Sequence, residues 1–426
     1  MKKFILNLAS ITMMFVLFSA LVTSISCSGD DNPEPTPQTN DQEITGEITS
    51  NTTWTSDKIY LLNGKVIIKD GVTLTIEPGT IIKGKQGDGL NASALIVARG
   101  GKLMAEGTAL KPIIFTTELD NIEIGQKSGT NLDETDVQKW GGLIVLGKAK
   151  VSDKVGDTEG HIEGIPADAA YGTYGGNDDQ DNSGSLKYIS IRHGGVSIGD
   201  GNEINGLTLG GVGAGTTIDH VEVVANLDDG IECFGGSVII NHALVAYQQD
   251  DAFDVDQNFS GKFINSMVVY NNTGDEFLEI DGPENNTHKT GLFTIENCNF
   301  ISKTNDGTVD LKSKAQGTIK NNVFVGLTKF KLSAKLDTDC TTLLTDAYNH
   351  YIDGTLKIEN NKTNAPLEVY TKSKDANDNT CNLPADLQTN ADFIFNVAGN
   401  SDSASVNVDN TSEFNDWTWT SINNKF

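Results

Sequence analysis

Three stretches of the chain repeat one phrase: "DDGIECFGG" from Asp228, "DDAFDVDQ" from Asp250 and "GDEFLEIDG" from Gly274. Setting Glu232, Asp254, Glu279 and Asp310 in one column gives intervals of 22, 25 and 31 residues, the last enlarged by the loop "GPENNTHKT". A repeat of this length, with insertions confined to one side, matches one coil of a parallel β-helix, in which each coil buries its apolar residues only by stacking on its neighbours. From Lys58 onward the chain is a run of short strand signals ("IYLLNG", "VIIKDG", "TLTIEPG", "ALIVARGG", "PIIFTT") broken by Gly, Asp, Asn and Pro, with no sustained helical period. The expected fold is all-β, a right-handed parallel β-helix with a loop-rich C-terminal cap.

Each coil carries further strands, "SVIINHALVAY", "KFINSMVVY", "LFTIENCNFI" and "GTIKNNVFVG". Their alternation puts one face inside and one outside. Asn241, Asn265, Asn297 and Asn321 recur before the last strand of their coils and are expected to form an internal asparagine ladder at a turn.

Read in order, "TTWTSDKIYLLNGKVIIKDGVTLTIEPGTIIKG", "ALIVARGGKLMAEGT", "KWGGLIVLGKAKV", "DNSGSLKYISIRHGG" and "EINGLTLGGVGAGTTIDHVEV" resemble the β-helix surface or secreted proteins abundant in Bacteroidetes. The resemblance spans roughly residues 50 to 330 and implies the fold; that family offers no established activity to carry over. The expected β-helix is 51–330, and 331–426 reads as an irregular region and cap.

At the other end, Lys2 and Lys3 precede a short apolar run, which makes 1–26 a secretory signal. The run ends in Ser24, Ile25, Ser26 and Cys27, which resembles a bacterial lipobox and implies Cys27 as the lipidated residue. Residues 27–50 read as a disordered acidic tether, whose first acids resemble the signal that sends lipoproteins to the cell surface. The expected location is the outer membrane, lipid-anchored and surface-exposed. Removing the signal leaves 31 − 2 = 29 basic against 58 acidic residues, a net charge of −29. Such a balance argues against a nucleic-acid partner and favours divalent cations.

Cys233 and Cys298 lie among strand residues and read as small core residues. Cys340 and Cys381 flank a loop-rich segment, "DTDCTTLLTDAYNHYIDGTL" onward, and are expected to form a disulfide beside a short helix. No CxxC or Cys/His spacing suggests zinc, and His193, His220 and His242 read as single structural histidines. In "FNDWTWTSINNKF", Trp417 and Trp419 read either as part of a solenoid cap or as a platform for a sugar ring.

Strand alternation sends Asp254 and Asp256, and one coil later Glu279 and Asp281, to the outer face. Adjacent strands are about 4.8 Å apart and alternate residues about 6.7 Å apart, so these four form a rectangle of carboxylates. Asp250, Asp251, Asp275 and Glu276 line the entering turn. Three compensations are open: a bound Ca2+ on oxygens of adjacent coils, a proton held on one carboxyl, or screening by water and Lys312.

The enzymatic form of the second would make Asp251, Asp254 and Glu279 the acids of a polysaccharide hydrolase or lyase. "QQDDAFD" is similar to the acidic pair of β-helix polygalacturonases, but their Gly-His-Gly and Arg-Ile-Lys companions are absent. The leading expectation is therefore a calcium-associated binding module for a glycan or a neighbouring outer-membrane protein. The alternatives are the enzyme and a structural surface component.

Overall fold

The computed structural model describes residues 41–199, 202–364, 368–383, 400–402 and 411–426. The signal segment 1–26, the lipidation residue Cys27 and residues 27–40 of the expected tether lie outside them. Residues 40–426 form one compact unit. It is a right-handed parallel β-helix whose coils stack three sheets.

The first sheet runs through Leu143–Leu146, Leu207–Gly210, Ile231–Phe234, Phe253–Asp256, Glu276–Ile280, Gly307–Leu311 and Leu327–Lys335. The second continues each coil through 217–219, 239–241, Lys262–Ile264, Phe293–Glu296 and Gly317–Lys320. The third closes it through 189–192, 221–224, 243–246, Met267–Tyr270 and Asn299–Ser302.

Inside, like residues stack coil upon coil. Leu186, Ile218, Ile240, Phe263, Ile295 and Ile319 line the second sheet, and Phe300 lies flat on Phe324 at 4.8 Å between ring centres. Cys233 and Cys298 are buried thiols, Cys233 between Leu209 and Val255 in one stack. Burial in apolar surroundings pushes the Cys298 thiol up to about 12, so it is a packing residue.

The corner between the second and third sheets is turned by one residue in the left-handed region: Tyr188, His220, His242, Asn265, Asn297, Asn321 and Asn360. Asparagine tolerates this conformation because its short polar side chain bonds locally. The expected asparagine ladder is therefore displaced by one. Asn265, Asn297 and Asn321 are the corner residues, and His242 takes that place beside Asn241. The interior ladder is Asn322, Asn361 and Asn400, each fully or nearly buried, whose Oδ1 atoms accept the backbone N–H of the preceding rung. Two adjacent asparagines in "NN" share one local pattern, and only the backbone bend decides which turns inward.

The coil boundaries also move. Asp41–Ile48 is already a strand paired in parallel with Ile59–Ile68, so the end of the expected tether belongs to the solenoid. Ile48 is buried and Ile44 packs on the core, while Asp41, Glu43 and Glu47 stay outside, which gives the segment the composition of a linker. Beyond 330, Leu327–Lys335, Leu356–Glu359 and Lys362–Thr363 keep the coil register. A long insertion hides this continuation. It holds the helix Ala347–Asp353, capped by the Asp346 carboxylate on the Ala347 N–H. The Cys340–Cys381 disulfide, with Cα atoms 5.8 Å apart, ties it to the following coil.

The segment 411–426 is not an end cap. It lies as a strap across the outer face of the third sheet, with Phe414 and Trp417 on Leu244, Met267 and Val269, and Trp419 on Val224 and Ala246. Trp417 and Trp419 are 1% and 3% exposed, so neither can stack on a sugar. The strap is bound to Glu222, a buried carboxylate that accepts the N–H groups of Trp419 and Thr420 and the hydroxyls of Thr420 and Ser190.

Candidate acidic cleft on the first sheet

Parallel pairing sets Thr208, Glu232, Asp254, Glu279, Asp310 and Lys331 in one outward column, and Gly210, Phe234 and Asp256 in the next. The column made from the sequence is the structural register. The surface is not flat, however. An insertion after Leu143–Leu146 folds back as the hairpin Glu159–His161 with Thr173–Gly175. It is pinned by Tyr174, whose hydroxyl donates to Gln257 at 3.1 Å, and by Gln257 donating to Asp153 at 2.9 Å. Ile162 and Glu163 from this insertion, with Ile204 and Asn205 from another loop, wall a cleft of about 490 Å³.

Its floor and near wall hold Asp228, Asp229, Glu232, Asp250, Asp251, Asp254, Asp256, Asp275 and Glu279, with Lys312 as the one basic residue in the lining. The repeated acidic doublet has a structural task within this wall. The Asp251 N–H donates to Asp229 Oδ1 at 2.9 Å, and the Glu276 N–H donates to Asp251 Oδ1 at 2.8 Å. Each second acid thus caps the turn of the next coil.

The four expected cation ligands do not converge as a set. Among the described residues, carboxylate oxygens meet within 4.8 Å of one another in three groups: Asp228 with Asp229 and Asp250, Asp229 with Glu232 and Asp254, and Asp251 with Glu276 and Glu279. Glu279 is ion-paired with Lys312, and Glu276 with Lys331. Asp281 lies outside the cleft, lining a neighbouring depression with Ser313 and Asp346, and Asp256 lines the cleft without joining a group. Two groups have neither lysine, and of these Asp229, Glu232 and Asp254 is the one that includes the outward column, one coil earlier than the rectangle read from sequence. Strand alternation gave the column but could not show that lysines one and two coils on neutralise its far end.

Asn205, which no sequence pattern marks, belongs to the same spot. It is 6% exposed, donates to Glu232, and leaves its Oδ1 without a hydrogen-bond partner; Asp254 Oδ1 is likewise unpartnered. Two oxygens without donors beside two further carboxylates are a cluster of acceptors that the protein itself does not answer. At 4.8 Å two carboxylate charges repel by about 1 to 3.5 kcal/mol for effective dielectrics between 80 and 20.

The profile of the pectate-lyase like beta helix domain family matches residues 46–421. The chain belongs to that family. Among solved structures, the pectin methylesterase of Aspergillus niger is 11% identical over 85% of this chain and 86% of its own, with a TM-score of 0.24. No curated protein matches.

Protonation in this pectate-lyase-like domain follows the same crowding. Burial first, then neighbouring carboxylates, push Asp229, Glu232 and Asp254 well above the ordinary range and Asp251 up to about 10. Asp256 is pushed up to about 6 and Asp281 to about 7, again by burial first. Glu276 is the exception: burial opposes its charge, but the Lys331 ammonium and hydrogen bonds from Asp275 and Asp251 hold it below its usual value. Without a cation the cleft therefore keeps protons that ordinary carboxyls lose.

The three candidate catalytic acids are also separated in role. Asp251 is 5% exposed and engaged in turn capping, Glu279 is neutralised by Lys312, and Asp254 alone presents an unpartnered oxygen.

Proposed function

We propose that this domain is the surface-anchored, calcium-dependent glycan-binding module of a Bacteroidetes-type lipoprotein, held at the outer membrane through Cys27. The observation that carries the reading is the donor set of Asp229, Glu232, Asp254 and Asn205 Oδ1, gathered without a lysine inside a walled cleft. Ca2+ takes six to eight oxygens at about 2.3–2.6 Å, more than these residues supply, so positions remain for sugar hydroxyls or a uronate carboxylate. A cleft of a few hundred Å³ suits one or two sugar residues. The family's description as pectate-lyase-like supports an acidic polysaccharide as the ligand class, and a polyanion enters this cleft only over a cation.

Calorimetric titration with Ca2+, followed by a glycan array with and without chelator, tests the proposal. Saturable Ca2+ binding lost in Asp254→Asn, with chelator-sensitive glycan binding, is the expected result. Absence of Ca2+ binding by the wild-type domain sinks it.

One observation favours a second reading, a polysaccharide hydrolase. Asp254 and Asp256 are two neighbouring carboxyls raised to different extents, which is how an acid and a base are set apart. Release of reducing ends from acidic polysaccharides, abolished in Asp254→Asn, would put this reading first.

A further inference from the structure

The corner column that turns the second sheet into the third is asparagine in most later coils but histidine in two successive ones, His220 and His242. We propose that Asp219, His220 and His242 form a transition-metal site, of the kind that holds Zn2+, at the edge between these two sheets. It is independent of the acidic cleft, which lies on the first sheet.

His242 Nδ1 lies 2.9 Å and His220 Nδ1 3.1 Å from Asp219 Oδ1. Tetrahedral ligands bound at 2.0–2.1 Å stand about 3.3 Å from one another, so each imidazole nitrogen is already near metal-binding separation from the carboxylate oxygen, and all three atoms lie within 4.8 Å of one another. His220 is 7% exposed, and its Nδ1 has no hydrogen-bond partner, since it sits off the line of a bond to Asp219. Its other nitrogen, Nε2, is 3.5 Å from Glu413 of the strap. A carboxylate on the remote nitrogen holds the proton there and leaves the Nδ1 lone pair for a metal, the usual outer-shell arrangement of a metal-bound histidine.

Tyr188 stacks on His220 at 4.3 Å, and Asn241 donates to Asp219 Oδ1 at 2.8 Å, fixing two of the three donors from behind. The two imidazoles are tilted 33° to each other, and the broad χ2 torsion of histidine lets the partly exposed His242 swing its lone pair toward that of the held His220. Asp219 and His242 are partly exposed, which leaves an entry path and an open fourth position. A nitrogen-rich set selects Zn2+, Cu2+ or Ni2+ over Ca2+.

Titration of the metal-free domain with Co2+ and then Zn2+, in excess Ca2+ to occupy the acidic cleft, tests the site. The expected result is one equivalent of Co2+ giving the visible absorption of a nitrogen-ligated ion, displaced by Zn2+. His220→Asn and His242→Asn, substitutions that the same column already carries at Asn265 and Asn297, should each abolish the band and leave the fold intact. Asp254→Asn should leave it unchanged. Glu413→Gln should weaken Zn2+ about 10- to 100-fold while keeping the band. No band in the wild-type domain, or an equal band in both histidine variants, overturns the proposal.

Discussion

Glu222 and Asp254 are both acids on the outer side of a strand, yet they belong to opposite kinds of surface. On the third sheet Glu222 is fully buried beneath the strap and accepts four hydrogen bonds, with Arg192 close enough to feel its charge. On the first sheet Asp254 sits among other acids, and one of its oxygens has no donor at all. Burial of charge is tolerated in the first case because every lone pair is answered by the protein. In the second it is tolerated only by a proton or a ligand. A saturated buried carboxylate holds the fold together, whereas an unsaturated one keeps an acceptor open to a proton or a ligand.

Substitutions should therefore have opposite signs in the two regions. Glu222→Ala removes the acceptor of the strap and leaves Arg192 uncompensated, and should cost about 3–5 kcal/mol in urea unfolding. Trp417→Ala, which empties the space over Leu244 and Met267, should cost about 3 kcal/mol by the same measurement. Asp254→Asn should instead stabilise the cation-free domain at neutral pH, by about 1–3 kcal/mol, because an amide needs no proton where the buried wild-type carboxyl must take one up on folding. Ca2+ should raise the melting temperature of the wild type and leave that of the same variant unchanged. Destabilisation by Asp254→Asn without calcium would erase the distinction between the two surfaces.

The smallest expected effect is on pH dependence. Asp256 and Asp281 are raised from 3.8 to about 6 and about 7 in the folded protein. Their stabilisation is complete below the unfolded value and is lost as pH rises through the folded values, because the unfolded chain releases those protons first. Melting temperature in chelator should fall between about pH 4 and pH 7 on account of these two groups. Saturating Ca2+ should flatten that slope if the cleft is what produces it.

The ladder of the first sheet was legible because its period is written directly in the residues: Glu232, Asp254 and Glu279 are one coil apart and pair as aligned. The cleft was not, because its far wall comes from an insertion around Ile162 and Glu163, some seventy residues upstream of the acids and without a repeat of its own. The strap left a signal that alternation alone misreads. In "HALVAY" and "SMVVY" the apolar residues are continuous, and a run that is apolar on both sides of a strand marks a sheet covered on both faces. What covers it, Phe414 to Trp419, is about 170 residues away, beyond the reach of any local pattern. The interior asparagine was read one place early for a related reason: the pattern names the turn, and only the backbone decides which of its residues points inward.

The strap also sets an order of events. A chain emerging from the ribosome or threading across a membrane delivers Glu222 nearly two hundred residues, and Ser190 and Arg192 more than two hundred residues, before Trp419 and Thr420. Until those arrive, the middle coils carry an unanswered acid and a bare apolar stripe, and a solenoid that could otherwise zip up progressively keeps its centre unfinished. Completion then happens late and in one step, so a molecule cut short before the strap is marked by a sticky flank, the kind of surface that proteases and chaperones recognise.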